Sequence, residues 1–169
     1  EAAKSKAGEG TLGRFKVEVE VSPSEFRISD NCGGIPLQVA REHAFKFGRD
    51  ERTPPTKHSV GQFGVGMKRA FFKLGEWFEV RSRTRAEGFS IVVDVKAWRN
   101  SPLWQFPLTD VVHSSTTKGI GTSIVVKQLH PGVADDFASE RFVNQLHLEL
   151  QAAHQDPLAR GLEIVLNGT

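Results

Sequence analysis

Hydrophobic and polar residues alternate from residue 15 to residue 21. Phe15, Val17, Val19 and Val21 take one side and Lys16, Glu18 and Glu20 the other. A period of two marks a half-buried strand. Ser22-Pro23-Ser24 turns the chain and Phe26 and Ile28 continue the pattern, so residues 14–30 read as a hairpin. Leu37, Val39, Ala40, Ala44 and Phe47, behind Pro36, predict a helix over 36–47. A charged stretch with Pro54-Pro55 predicts a loop over 48–60. Phe63, Met67, Ala70, Phe71 and Leu74 recur at three- and four-residue steps, the pattern of an amphipathic helix. Strands are predicted over 76–83, 88–95, 107–113 and 121–129. Phe142, Val143, Leu146, Leu150 and Ala153 mark a later helix, and Gly161 to Leu166 a last strand. The sum is an α+β two-layer sandwich, with a mixed, mostly antiparallel sheet and helices on one face.

Composition narrows the classes. The 169 residues fit one domain, 1–169, large enough to bury a core. Its first residue is Glu1, and Asn167-Gly168-Thr169 follows a strand pattern directly, so the domain is expected to be trimmed at both ends. With 22 basic and 20 acidic residues the net charge is +2. That balance indicates neither nucleic acid nor an anionic membrane surface as a partner. The single Cys32 allows no internal disulfide and fits a reducing compartment, so an intracellular, cytoplasmic location is expected. No apolar run reaches membrane-spanning length, and residues 1–13 lack the apolar core of a signal peptide.

Two glycine clusters carry the candidate chemistry. Asp30-Asn31-Cys32-Gly33-Gly34-Ile35 ends the hairpin. Asp30 shares a strand face with Phe26 and Ile28, so its carboxylate is expected to point inward. It either accepts a hydrogen bond from the exocyclic amine of a ligand or caps the following turn. Gly33 and Gly34 either let backbone approach a flat ring or supply a turn with positive φ. Cys32 reads as a packing residue rather than a nucleophile.

The second cluster, Gly61-Gln62-Phe63-Gly64-Val65-Gly66, opens the helix that runs to Leu74. Three glycines there cost helix stability, each by about 1 kcal/mol relative to Ala. Free N–H groups at a helix start bind anions, and glycine opens them to phosphate oxygens; a flexible hinge is the competing explanation. Met67-Lys68 after Gly66 breaks the P-loop pattern, and Arg69 breaks the dinucleotide fingerprint. Thr122 shares a face with Ile124 and Val126, so its hydroxyl faces inward, toward a ligand or water or simply as a strand residue. Arg81, Arg83 and Arg85 line a solvated face, and the six histidines lack metal-ligand spacing.

Asp30 through Ile35, Gly61 through Gly66 and Gly121-Thr122, in that order, resemble the motifs of the GHKL ATPases: gyrase B, Hsp90, histidine kinases and MutL. The resemblance spans about residues 14–169. Gly-Gln-Phe-Gly-Val-Gly is Hsp90-like, and Met67-Lys68 is more like the MORC branch. It implies a Bergerat sandwich binding ATP or ADP with Mg²⁺. Asp30, Gly34, Ile35 and Thr122 would hold adenine, and Gly61, Gln62, Phe63, Gly64, Val65, Gly66, Met67 and Lys68 the phosphates. Cys32 stands where the family has a glycine.

The family's magnesium-binding Asn and water-activating Glu sit on a helix before the first strand. Asn occurs only at 31, 100, 144 and 167, so both groups are expected upstream of Glu1. The implied function is ATP binding with slow hydrolysis that drives lid closure and homodimerisation. This chain alone would be weakly active or inactive. A nucleotide-sensing or scaffold module with the same fold is the alternative.

Overall fold

The computed structural model describes residues 10–45, 66–102, 106–113, 115 and 118–169. Seven strands form one sheet: β1 (Lys16–Val21), β2 (Glu25–Asp30), β3 (Gly75–Arg83), β4 (Glu87–Asp94), β5 (Leu108–His113), β6 (Gly121–Leu129) and β7 (Glu163–Leu166). Their order is β5-β4-β3-β6-β2-β1-β7. Only the β1–β7 pair is parallel, so the sheet is mixed and mostly antiparallel, as expected.

The register explains the core. Directly opposed residues share a sheet face. One row reads Val21, Phe26, Val126, Phe78, Val93 across five strands, and the next Val19, Ile28, Ile124, Val80, Ile91. Phe78, Val80, Ile91 and Val126 are fully buried there. Burying such side chains contributes roughly 1.5–3 kcal/mol each.

Helices cover this face. α1 (Leu37–Val39) passes into a π-helical turn (Ala40–Ala44). α2 (Gly66–Leu74) packs Phe71 and Phe72 on Phe78, with ring centroids 4.8 and 5.9 Å apart. α3 (Val95–Arg99) adds Trp98, α4 (Pro131–Ala138) adds Phe137, and α5 (Glu140–Ala153) adds Phe142, Val143, Leu146 and Leu150. α6 (Gln155–Ala159) leads into β7.

Three differences from the sequence expectations have local causes. The helix expected over 36–47 starts behind Pro36 but is only a short helix and a π turn, closed by Phe45 N–H to Ala40 O at 3.2 Å. α3 begins where a strand was read to residue 95, because the Asp94 carboxylate accepts from Ala97 N–H and caps a helix. α4 and α6 were not foreseen, although Pro131 at the first turn of α4 is a helix-start signal. The loop expected over 48–60 and the first turn of the helix expected from Gly61 lie outside the described residues.

Candidate functional site

The third row of the buried face changes character. After two apolar rows come Val17, Asp30, Thr122, Ser82 and Phe89. Three adjacent strands thus end in oxygen-bearing side chains on the helix-covered side of the sheet. Asp30 and Thr122 stand opposed, each on the inward face that its alternation with Phe26, Ile28, Ile124 or Val126 predicts.

Ser82 organises this row. It is 4 % exposed. Its Oγ lies 3.0 Å from Thr122 Oγ1 and accepts from Ile35 N–H at 2.7 Å. Leu37 N–H in turn donates to Glu87 Oε1 at 2.7 Å. The turn after β2 is therefore fastened to β3 and β4 by two side chains. Neither Ser82 nor Glu87 was picked out from the sequence. The signal for Ser82 was the one used for Thr122, a polar residue ending the apolar alternation Phe78, Val80.

Both glycines of the turn have positive φ, 112° at Gly33 and 72° at Gly34. A Cβ at Gly34 would collide with the Arg83 carbonyl, so the close approach glycine permits is to β3 backbone. At Gly121 a Cβ would collide with the Asp30 carbonyl. Cys32 is not among the residues with positive φ, which accommodates a side chain in the family's glycine position.

Asp30 makes the capping contact considered above: its Oδ1 accepts from Cys32 N–H at 2.6 Å. That leaves Oδ2 able to accept from a ligand, and Asp30 itself is only half-buried. The buried Cys32 thiol is pushed up to about 11 by burial first, then by the charge and hydrogen bond of Asp30. A thiol held protonated is a poor nucleophile, in keeping with its packing among Leu12, Phe15 and Val17.

The start of α2 belongs to the same end of the sheet. Phe71 and Phe72 sit on Phe78, in the first apolar row. A turn earlier, Lys68 Nζ donates to Ala44 O at 3.1 Å, and neighbouring Phe45 packs on Phe89, in the polar row, at 6.0 Å. The helix therefore runs away from the polar row, and its N-terminus lies on the side of Asp30, Thr122 and Ser82. Gly66 has no positive φ, and a Cβ there would meet nothing within 4 Å, so packing does not require its glycine. Lys68 is 1 % exposed, and burial lowers its pKa; its ammonium ties α2 to the π turn. Ile35 and Met67 pack on the fringe of the main core. Gly61, Gln62, Phe63, Gly64 and Val65 lie outside the described residues.

The family model for the histidine kinase-, DNA gyrase B- and HSP90-like ATPases matches residues 3–122. The chain belongs to this family. No curated protein matches the sequence. Among solved structures, the Aquifex aeolicus MutL ATPase domain complexed with ADP is similar at 19 % identity, with a TM-score of 0.48. That match covers 90 % of this chain and 52 % of the other, so the chain spans about half the length of that structure. As a GHKL domain, the chain has an ATP-binding fold.

Among the described residues no three His, Cys, Asp or Glu side chains could hold a metal ion. The sequence before β1 contains no Asn. Nor is any helix among the described residues long and apolar enough to cross a membrane.

Proposed function

We propose that the polar row binds the adenine of ATP and that the start of α2 receives its phosphates. The observation that carries this is the opposed pair Asp30 and Thr122, set where two apolar rows end, on the side of the sheet from which α2 starts. A carboxylate with one oxygen committed to its own turn can take the adenine amine on the other. The Thr122 hydroxyl, held by Ser82, adds a second polar contact directly or through water. Backbone N–H groups of the segment through Gly66, Met67 and Lys68, with Gly61 to Val65 before it, would face the phosphate chain.

Recognition of an amine makes the site selective. Guanine carries a carbonyl oxygen where adenine carries its amine, so GTP would set oxygen against carboxylate oxygen. Calorimetric titration with ATP and GTP tests this: ATP should bind at least ten-fold more tightly. Equal affinities would contradict recognition through Asp30.

In the Hsp90-like or MORC-like branch that Gly61 to Lys68 suggests, ATP binding would close a lid and drive homodimerisation. Turnover also needs a group to orient water and a metal to neutralise the phosphate oxygens. The chain's own residues bind and orient; the Asn expected from the family's first helix does not occur in the sequence before β1. Binding without efficient turnover is therefore the expected behaviour of residues 1–169. Light scattering with a non-hydrolysable ATP analogue tests dimerisation, and an unchanged mass would count against it for this chain.

A further inference from the structure

Among the described residues Lys68 is the only charged side chain that is buried. It stands in the first turn of α2, where a lysine with its ammonium in solvent could reach a phosphate held by the helix start. Its ammonium is turned onto protein, and Nζ donates to Ala44 O at 3.1 Å. Taking a cation out of water carries a penalty, seen here as a pKa lowered by burial. The fold keeps the contact against that penalty.

Ala44 ends the π turn, and the last carbonyls of a helical segment have no donor within it. From there a chain of hydrogen bonds leads to the polar row. Phe45 N–H returns to Ala40 O at 3.2 Å, and Ala40 N–H to Pro36 O at 2.9 Å. On either side of Pro36, Ile35 N–H donates to Ser82 Oγ and Leu37 N–H to Glu87 Oε1, both at 2.7 Å. Ser82 Oγ then lies 3.0 Å from Thr122 Oγ1. Leu37, Ala40 and Phe45 along this path are buried, and Phe45 packs edge-on against Phe89. A close-packed path of this kind passes a displacement on instead of absorbing it.

We propose that the Lys68 side chain is a positioning residue for the adenine end of the site and not a phosphate ligand. Its ammonium braces the π turn. The π turn sets residues 35–37 against β3 and β4, and those residues hold Ser82 where it orients Thr122. The positioning role rests on the adenine reading of the polar row; the brace itself does not.

The test uses Lys68→Met, which keeps the apolar stem and removes the ammonium; thermal melts verify that it folds. Amide hydrogen exchange read by NMR should speed up at least ten-fold at Ile35, Leu37 and Phe45, with the amides of β1 and β7 unchanged. NMR titrations should show ATP and adenosine weakened by the same factor, at least five-fold. Adenosine carries no phosphate, so a loss confined to ATP would make Lys68 a phosphate ligand and overturn the proposal. Unchanged exchange at the three amides, or faster exchange with both affinities unchanged, would also overturn it. Should Lys68→Met unfold, the ¹⁵N signal of the Lys68 ammonium in the unmodified protein carries the test. Adenosine and ATP should leave that signal in the same place, and a shift with ATP alone would overturn the proposal. An unmodified protein that binds neither ligand would overturn the adenine reading and the positioning role with it, and the exchange result would still decide the brace.

Discussion

Ser82 Oγ lies 3.0 Å from Thr122 Oγ1 and at the same time accepts the Ile35 N–H at 2.7 Å. One hydroxyl thus joins the strand that carries Thr122 to the turn that follows Asp30. Ser82→Ala should leave the half-buried Ile35 N–H without its partner and cost about 1–3 kcal/mol. It should also weaken ATP binding, because Thr122 loses the group that orients it. Urea denaturation and calorimetry on this variant check both, and full stability would show that the hydroxyl organises nothing.

Gly34 and Gly66 should respond oppositely to alanine. Gly34 has φ of 72°, and a Cβ there would collide with the Arg83 carbonyl. Gly34→Ala should cost on the order of 3 kcal/mol. Gly66 starts α2 in open space, so Gly66→Ala should stabilise the fold by up to about 1 kcal/mol. The added methyl should nevertheless lower ATP affinity if phosphates approach that backbone. A stabilised Gly66→Ala variant with unchanged ATP affinity would detach the helix start from the phosphates.

Cys32 gives a pH dependence whose sign is fixed by its surroundings. Its folded value is raised to about 11 from an ordinary 9.0, by burial and then by Asp30. The folded state therefore holds the proton more tightly than the unfolded chain. The associated stability is fully present below pH 9.0 and is lost as pH rises toward about 11. Alkylation by iodoacetamide should follow a midpoint near 11 in the folded protein and near 9 in urea. Asp30→Asn should lower the folded midpoint, since it removes the neighbouring charge. A folded midpoint at or below 9 would contradict the burial of the thiol beside Asp30.

Turnover by the 1–169 chain should be slow whatever its affinity. The sequence before β1 offers no Asn, and no cluster of His, Cys, Asp or Glu among the described residues could hold a metal. A phosphate-release assay with Mg²⁺ checks this. Robust activity abolished by Asp30→Asn would place a metal ligand and a base among residues not credited with either role.

Much of this arrangement was legible in strand alternation. Period-two alternation located β1 and β2, the other five strands were also predicted from the sequence, and the faces of Asp30 and Thr122 followed from Phe26, Ile28, Ile124 and Val126. What alternation along one strand could not give was the row across strands. Ser82 meets Thr122 only because β3 pairs with β6, residues 40 apart in sequence. The π turn was illegible for a similar reason, since its Ala44 carbonyl is claimed by Lys68 from α2. From the sequence, the glycine pair offers either approach to a ligand ring or a turn with positive φ. In the fold Gly34 serves first to bring the turn against β3, a steric demand visible only once β3 is in place.

The most direct test of adenine recognition is ATP calorimetry on Asp30→Asn. Asparagine keeps the Oδ1 that accepts from Cys32 N–H, so the turn should hold and the melting temperature should change little. Its amide nitrogen replaces Oδ2 and sets a donor against the adenine amine. The predicted result is an intact fold with ATP affinity reduced at least ten-fold. An intact fold with unchanged affinity would contradict the role assigned to Asp30 and, with it, the placement of ATP on this row.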